Sequence, residues 1–229
     1  MKIHEQVLEK RIRNEASISE EQFGFMLGNG TVDAIFALRQ TMEKYAERHG
    51  RLHLVFIDLK AYNWVPRQEM QRCVREKGVS EKYVKVVQDM NAEVTTQVRS
   101  NEGTTEKFSV RVGLHQGSTL GPYIFDFVMD VITSDVREEV PWAVMFVDVL
   151  LVNLTIEGVE IKLKLWRQAL EDRGLRISRA KTEYLWMGGE GKQDAVKLGL
   201  DDIKWHGLGN KPQDTMGLDE LEETIRNIM

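Results

Sequence analysis

An α+β fold is predicted by three observations: short apolar runs of strand composition, amphipathic stretches of helical period between them, and one turn-centred hairpin signal. The run Val144-Met145-Phe146-Val147-Asp148-Val149-Leu150-Leu151-Val152 encloses a lone aspartate, and an unpaired buried carboxylate needs a compensating partner. A second aspartate, Asp58, ends the run Leu52-His53-Leu54-Val55-Phe56-Ile57 ninety positions earlier. Two strands delivering carboxylates to one cation site is the reading these runs support, and paired carboxylates of that kind serve phosphoryl transfer by divalent metals.

The elements follow in order. Val32, Ile35, Phe36, Met42, Tyr45 and Ala46 lie near one face of a helix over 32–46 that ends at His49-Gly50. A strand over 52–58 comes next. Pro66 opens a helix, where its missing donor is harmless, and Gly78 closes it; Ser80 caps a further helix through about Asn91. Val94 to Arg99 and Lys107 to Val112 form a hairpin about Asn101-Glu102-Gly103. His115-Gln116-Gly117-Ser118 is a loop, and Pro122 starts a long helix with Ile124, Val128, Val131 and Asp135 at helical spacing, ending before Pro141. After the Asp148 run, Val159, Leu163, Trp166 and Leu170 mark an amphipathic helix closed by Gly174, with Trp166 in the core. Ile177 to Met187 returns as a strand broken by Lys181. Gly188-Gly189-Glu190-Gly191 opens a glycine-rich region, and a last short helix carries Leu218, Leu221, Ile225 and Ile228.

The 229 residues suffice for one large domain or two small ones with a proper core. The single cysteine, Cys73, excludes an intramolecular disulfide, fits a reducing compartment and reads as a packing residue in a helix. The charged amino terminus lacks a secretory apolar stretch, and no segment approaches the roughly 20 apolar residues that cross a bilayer, so an intracellular, unsecreted protein is expected, with nucleus and cytoplasm undistinguished. A net charge of −5 argues against a strongly electrostatic nucleic-acid binder, while Arg173, Arg176, Arg179 and Lys181 can form a local basic strip.

Several phrases in order carry a likeness: Glu21-Gln22-Phe23-Gly24-Phe25, Phe56-Ile57-Asp58-Leu59, Ala61-Tyr62, Val65-Pro66-Arg67, Gly113-Leu114-His115-Gln116-Gly117-Ser118, Gly174-Leu175 and Lys181-Thr182. Together they resemble the reverse transcriptase of non-LTR retrotransposons, the long interspersed element type, over residues 1 to 187. The resemblance implies an α+β palm with part of the fingers, an antiparallel sheet backed by helices, over 1–187, and a divergent glycine-rich tail with a short C-terminal helix over 188–229. It implies an RNA-directed DNA polymerase working by two-metal nucleotidyl transfer on an RNA template, a DNA primer and deoxynucleoside triphosphates, with Mg2+, or Mn2+ in its place. Asp58 and Asp148 would be the catalytic metal ligands. Leu59 and Tyr62 would bind the incoming nucleotide, Tyr62 at its 2′ position, Gln116 and Gly117 would line the nascent base pair, and Lys181 would face the leaving pyrophosphate.

The departures from that pattern point to a degenerate copy with impaired catalysis. The family ends its central hairpin with two aspartates, and here Asp148 is followed by Val149. A β-branched residue tolerates a positive-φ turn poorly, so an altered hairpin is expected. Asp58 to Tyr62 is four steps where the family has five, which should rotate one of the two side chains unless a bulge absorbs it. Asn63 stands where the family has a second acidic residue, and Asn29 where an arginine is usual between Gly28 and Gly30. The alternatives are a catalytically silent nucleic-acid-binding palm and a protein-interaction remnant of a retrotransposon, whose C-terminal helix would dock a protein partner.

Overall fold

The computed structural model describes residues 2–187 and 204–208, apart from 27, 29, 49, 60–63, 93, 111, 115–116 and 147. Its helices are α1 (Lys2–Arg13), α2 (Thr31–Glu47), α3 (Arg67–Glu76), α4 (Glu81–Asn91), α5 (Gly121–Ile132) and α6 (Ile156–Glu171), and a 3-10 turn spans Arg179–Lys181. The strands are β1 (Leu52–Ile57), β2 (Thr95–Thr96), β3 (Arg99–Ser100), β4 (Gly103–Thr104), β5 (Phe108–Ser109), β6 (Ala143–Met145), β7 (Val149–Asn153), β8 (Glu183–Met187) and β9 (Lys204–Leu208).

One five-stranded sheet organises the molecule, in the order β6-β7-β1-β8-β9. The first three pairings are antiparallel, and β9 joins β8 in parallel, so the glycine-rich tail adds a strand that its sequence does not announce. Every residue of β1 is buried, because the strand is covered on both faces. Leu52, Leu54 and Phe56 pack with Ala34, Ile35, Leu38 and Met42 of α2. Val55 and Ile57 turn the other way, into a larger core built from α1 and α3 to α6. Alternation along one extended strand thus serves two cores. Helices therefore cover both sides of the sheet.

Two details of the helices differ from the sequence reading. In α2 the buried stripe is Ala34, Leu38 and Met42 with Ile35, while Val32 and Phe36 are exposed. An apolar stripe can be drawn on either side of Ile35, and the sheet selects one. Helix α5 is buried on all sides, as its mostly apolar sequence allows and as a helix sheathed by its neighbours must be. It ends at Ile132, so Asp135 lies beyond it. Its two acids need partners: Asp130 takes Lys77 at 2.5 Å and also binds Ser19 and Arg137.

The remaining elements follow their local signals. Pro66 caps α3, and Gly78 supplies a φ of 80° after it. The predicted hairpin forms as two short exposed pairings, β2 with β5 and β3 with β4. Val159, Leu163, Trp166 and Leu170 are buried, with the Trp166 indole donating to the Val136 carbonyl at 3.0 Å. Cys73 is fully buried, which pushes its thiol up to about 11 and fits packing. No helix among the described residues is long and apolar enough to cross a membrane. The C-terminal helix lies outside the described residues.

Gly174 closes α6 with a φ of 83°, and a Cβ there would meet Pro66 Cγ at 2.8 Å. Gly174→Ala is expected to cost on the order of 1–3 kcal/mol through its left-handed backbone and the clash. Denaturant unfolding midpoints check this, with Gly28→Ala, where a Cβ meets nothing, reporting the backbone cost alone.

Candidate active site

The register of β1 and β7 builds the site. Ile57 faces Val149 in the last regular pair, and Asp58 and Asp148 are the next residues beyond it on the two segments. The two carboxylates that the sequence separates by ninety positions therefore line one pocket, with Phe56, Phe146, Val149 and Lys181 around them.

Asp148 is not inside a strand. It sits at the end of the turn joining β6 to β7, where Met145 pairs with Val149 and the Phe146 amide donates to the Asp148 carbonyl at 2.7 Å. The tight hairpin thus persists with valine in place, because Val149 takes an extended strand position. Val149 is buried in the larger core.

Hydrogen bonds tie the two acidic segments together. The Leu59 amide donates to Asp148 Oδ1 at 3.1 Å, and the Ser178 amide donates to the Asp58 carbonyl at 2.8 Å. A bridge between Leu59 and Ile177 fixes the second contact. The 3-10 turn that follows brings Lys181 Nζ to 3.9 Å from Asp58 Oδ1. Lys181 is largely exposed, so this is a screened, weak attraction. Burial pushes the Asp148 carboxyl up to about 6, with the Leu59 amide pulling it down, Asp58 raising it and Lys181 pulling it down.

Asp58, Asp148, Leu59 and Lys181 are thus brought together. Gly117 is described, at a φ of 82°, but does not line the pocket. Its loop is anchored elsewhere: Ser118 Oγ and the Thr119 amide donate to the buried Glu5 carboxylate of α1, at 3.0 and 2.8 Å. Tyr62, Gln116, Asn63 and Asn29 lie outside the described residues, as do the shortened steps after Leu59. The basic strip is only partly free: Arg173 reaches Glu69, while Arg176 lies over the exposed Trp64 ring at 4.7 Å.

Gln22 and Asp126 support the site and carry no role in the sequence reading. Gln22 stands in the Glu-Gln-Phe-Gly-Phe phrase, and its side chain donates to the Phe146 carbonyl in the turn at 3.1 Å. Asp126 is a lone carboxylate within Tyr-Ile-Phe-Asp-Phe-Val. That is the same signal that singled out Asp148.

As a cation site the pocket offers hard oxygen donors from two carboxylates, which suits a divalent ion that keeps its other positions for water or phosphate. No group of three or more His, Cys, Asp or Glu residues suited to a metal occurs among the described residues.

An antiparallel sheet with paired acids at a central strand end and a neighbouring turn, backed by helices, defines a polymerase palm with part of the fingers. The chain belongs to the reverse transcriptase (RNA-dependent DNA polymerase) family, whose model matches residues 1–209. It is of the non-LTR retrotransposon type. Its relatives include a "Retrovirus-related Pol polyprotein from type-1 retrotransposable element R2" of Bradysia coprophila, 23% identical over 84% of this chain and 23% of that protein. A polyprotein of the same description from Popillia japonica is 25% identical over 54% of this chain and 18% of its own length. The chain therefore spans less than a quarter of either. Solved structures of Candida tropicalis telomerase share the fold. One, with a TWJ fragment of telomeric RNA, has a TM-score of 0.58 at 12% identity, over 82% of this chain and 33% of that one. An apo form lacking the C-terminal domain has a TM-score of 0.57 at 16% identity, over 84% and 40%.

The raised Asp148 carboxyl has a definite sign. Its folded value of about 6 exceeds the unfolded 3.8, so the stability it contributes is fully present below about 4 and is lost as pH rises through about 6. Asp148→Asn is expected to gain stability relative to wild type as pH rises through that window, with no further gain above about pH 7. Urea midpoints across the range check it.

Proposed function

We propose that this chain is the palm of an RNA-directed DNA polymerase that still holds an RNA template and DNA primer but carries out nucleotidyl transfer poorly. The observation that carries the reading is the convergence of Asp58 and Asp148 on one pocket beside an apolar, buried Val149. In this reading Asp58 and Asp148 hold Mg2+, or Mn2+, and Val149 contributes nothing. A divalent ion bound there would activate the primer hydroxyl and neutralise the triphosphate of a deoxynucleotide.

The chain's own groups define both what is kept and what is lost. Asp148 is kept in place by the Leu59 amide, which is then occupied and must be released before it can serve a phosphate oxygen. Lys181 is kept near Asp58, where it can donate a proton or offset charge on the leaving pyrophosphate. With two carboxylates in place of the family's fuller set, charge neutralisation weakens, and the raised Asp148 carboxyl lets a proton compete with the cation. Tyr62, Gln116 and Gly117 would complete the nucleotide pocket, as the resemblance implies.

A catalytically silent nucleic-acid-binding palm is the second reading, favoured by the buried Val149 and by the exposed Arg176 and Trp64 pair, a cation and ring suited to a single strand. Docking of a protein partner through the C-terminal helix remains a proposal from the sequence alone.

Primer extension on an RNA template separates these readings. Salt-sensitive binding of the primer-template is expected, with extension near background in Mg2+, raised by Mn2+ and abolished by Asp58→Asn. Efficient extension in Mg2+ sinks the impairment; no binding at low salt sinks the template-holding role; binding without extension under either metal favours the silent palm. Mn2+ affinity should fall about tenfold per pH unit below about pH 6, as Asp148 protonates, and Asp148→Asn should flatten the profile. Val149→Asp buries a new carboxylate and is expected to cost roughly 2–5 kcal/mol of stability without metal, part of it regained with Mn2+.

A further inference from the structure

Gln22 and Asp126 meet in the interior, 1% and 0% exposed. Gln22 Nε2 donates to Asp126 Oδ1 at 2.7 Å and to the Phe146 carbonyl at 3.1 Å. This orientation of the amide is the only sensible one, since the flipped form would set its oxygen against the Phe146 carbonyl. Two atoms are then left over: Gln22 Oε1 and Asp126 Oδ2 are both buried without a hydrogen-bond partner among the described residues. An ionised carboxylate can only accept, so it cannot satisfy the amide oxygen; a neutral acid can. One proton on Oδ2 supplies the missing donor and removes a buried charge.

We propose that Asp126 is a neutral carboxylic acid whose Oδ2–H donates to Gln22 Oε1, closing an acid–amide pair, and that Gln22 is thereby a positioning residue for the turn that carries Asp148. The position of the pair explains how it acts. Residues 21–23 lie beside β6 through one parallel bridge, Gln22 with Met145, with the Phe23 amide donating to the Met145 carbonyl at 2.8 Å and the Met145 amide to the Glu21 carbonyl at 2.9 Å. A Cβ on Gly24 would stand 3.0 Å from Phe146 Cα, so this segment lies directly against the turn. The Gln22 amide is a side-chain tie from α5 through this segment to Phe146.

The surrounding charges agree. Burial pushes the Asp126 carboxyl up to about 8, opposed by the Gln22 amide and by Arg13 of α1, and reinforced by Asp130 of α5. Tyr123, also on α5, is pushed up to about 12 and stays neutral with it. Asp130 is itself paired with Lys77 and Arg137. Above about pH 8 Asp126 ionises, Oδ2 loses its proton, and Gln22 Oε1 faces a like charge.

The importance of the turn rests on the cation reading of Asp148, but the pair itself is testable without metal. In the 229-residue chain carrying 13C-labelled aspartate, one carboxyl signal, assigned to Asp126 by its backbone connectivity, should remain that of a neutral acid at pH 7 and titrate near about pH 8. The Gln22 side-chain and Phe146 amide resonances should move with the same midpoint, and Asp126→Asn should abolish the step. The unfolding constant of wild type relative to Asp126→Asn should rise about tenfold per pH unit between about pH 4 and 8, then level off. If every aspartate is ionised at pH 7 the pair does not exist, and that holds even where Asp126→Asn fails to fold. If Asp126 titrates near pH 8 while the Phe146 amide stays still, Gln22 does not position the turn. If the pair titrates as described but Mn2+ binds at no pH, the cation reading falls and the pair stands.

Discussion

The register between β1 and β7 is the constraint on which the rest depends. With Ile57 opposite Val149 in the last pair, Asp58 and Asp148 leave the two strands side by side and line one pocket. Because side chains alternate faces, a one-residue slip would send one carboxylate into a core and bring a hydrophobic side chain into the pocket. The slip is prevented on both faces at once, since β1 places Leu52, Leu54 and Phe56 in one core and Val55 and Ile57 in another. Two packed cores therefore hold two acids at one end of the interior strands. The same logic explains why Val149 is tolerated: its position is a core position of a strand, where a β-branched apolar side chain is favourable, and its neighbour Asp148 lines the pocket.

Polar groups in this interior are handled as sets. Asp130 gathers a lysine, an arginine and a serine; Glu5 gathers Ser118 and Thr119; Asp126 is matched with Gln22. Each set joins a helix to a segment remote in sequence, and each would be costly if broken on one side only. The acids of α5 and α1 thereby hold the loop after β5 and the segment before α2 against the palm. The pocket is shaped by groups well outside it.

Much of this was legible before the fold. Pro66, Gly78 and Gly174 mark element ends by backbone chemistry that operates locally, and the structure has them there. The ordered phrases around Gln22, Asp58, Gln116 and Lys181 pointed to a family, and the chain belongs to it. Less was legible where a choice depended on a neighbour. The buried side of α2, the all-round burial of α5 and the fifth strand β9 are set by what the sheet offers them. Gln22 was visible only as part of a phrase, and Asp126 carried the lone-acid signal without a partner to explain it.

The sequence by itself determined the element types, their order, and the residue types available for chemistry, because helix caps, turns and side-chain periodicity are short-range properties of the chain. The tertiary structure alone decided that Asp58 and Asp148 line one pocket, that Leu59 holds the second of them, and that Lys181 turns back to the first. Those are contacts across about ninety residues or more, fixed by strand register and by packing on two faces of a sheet, which no local pattern encodes.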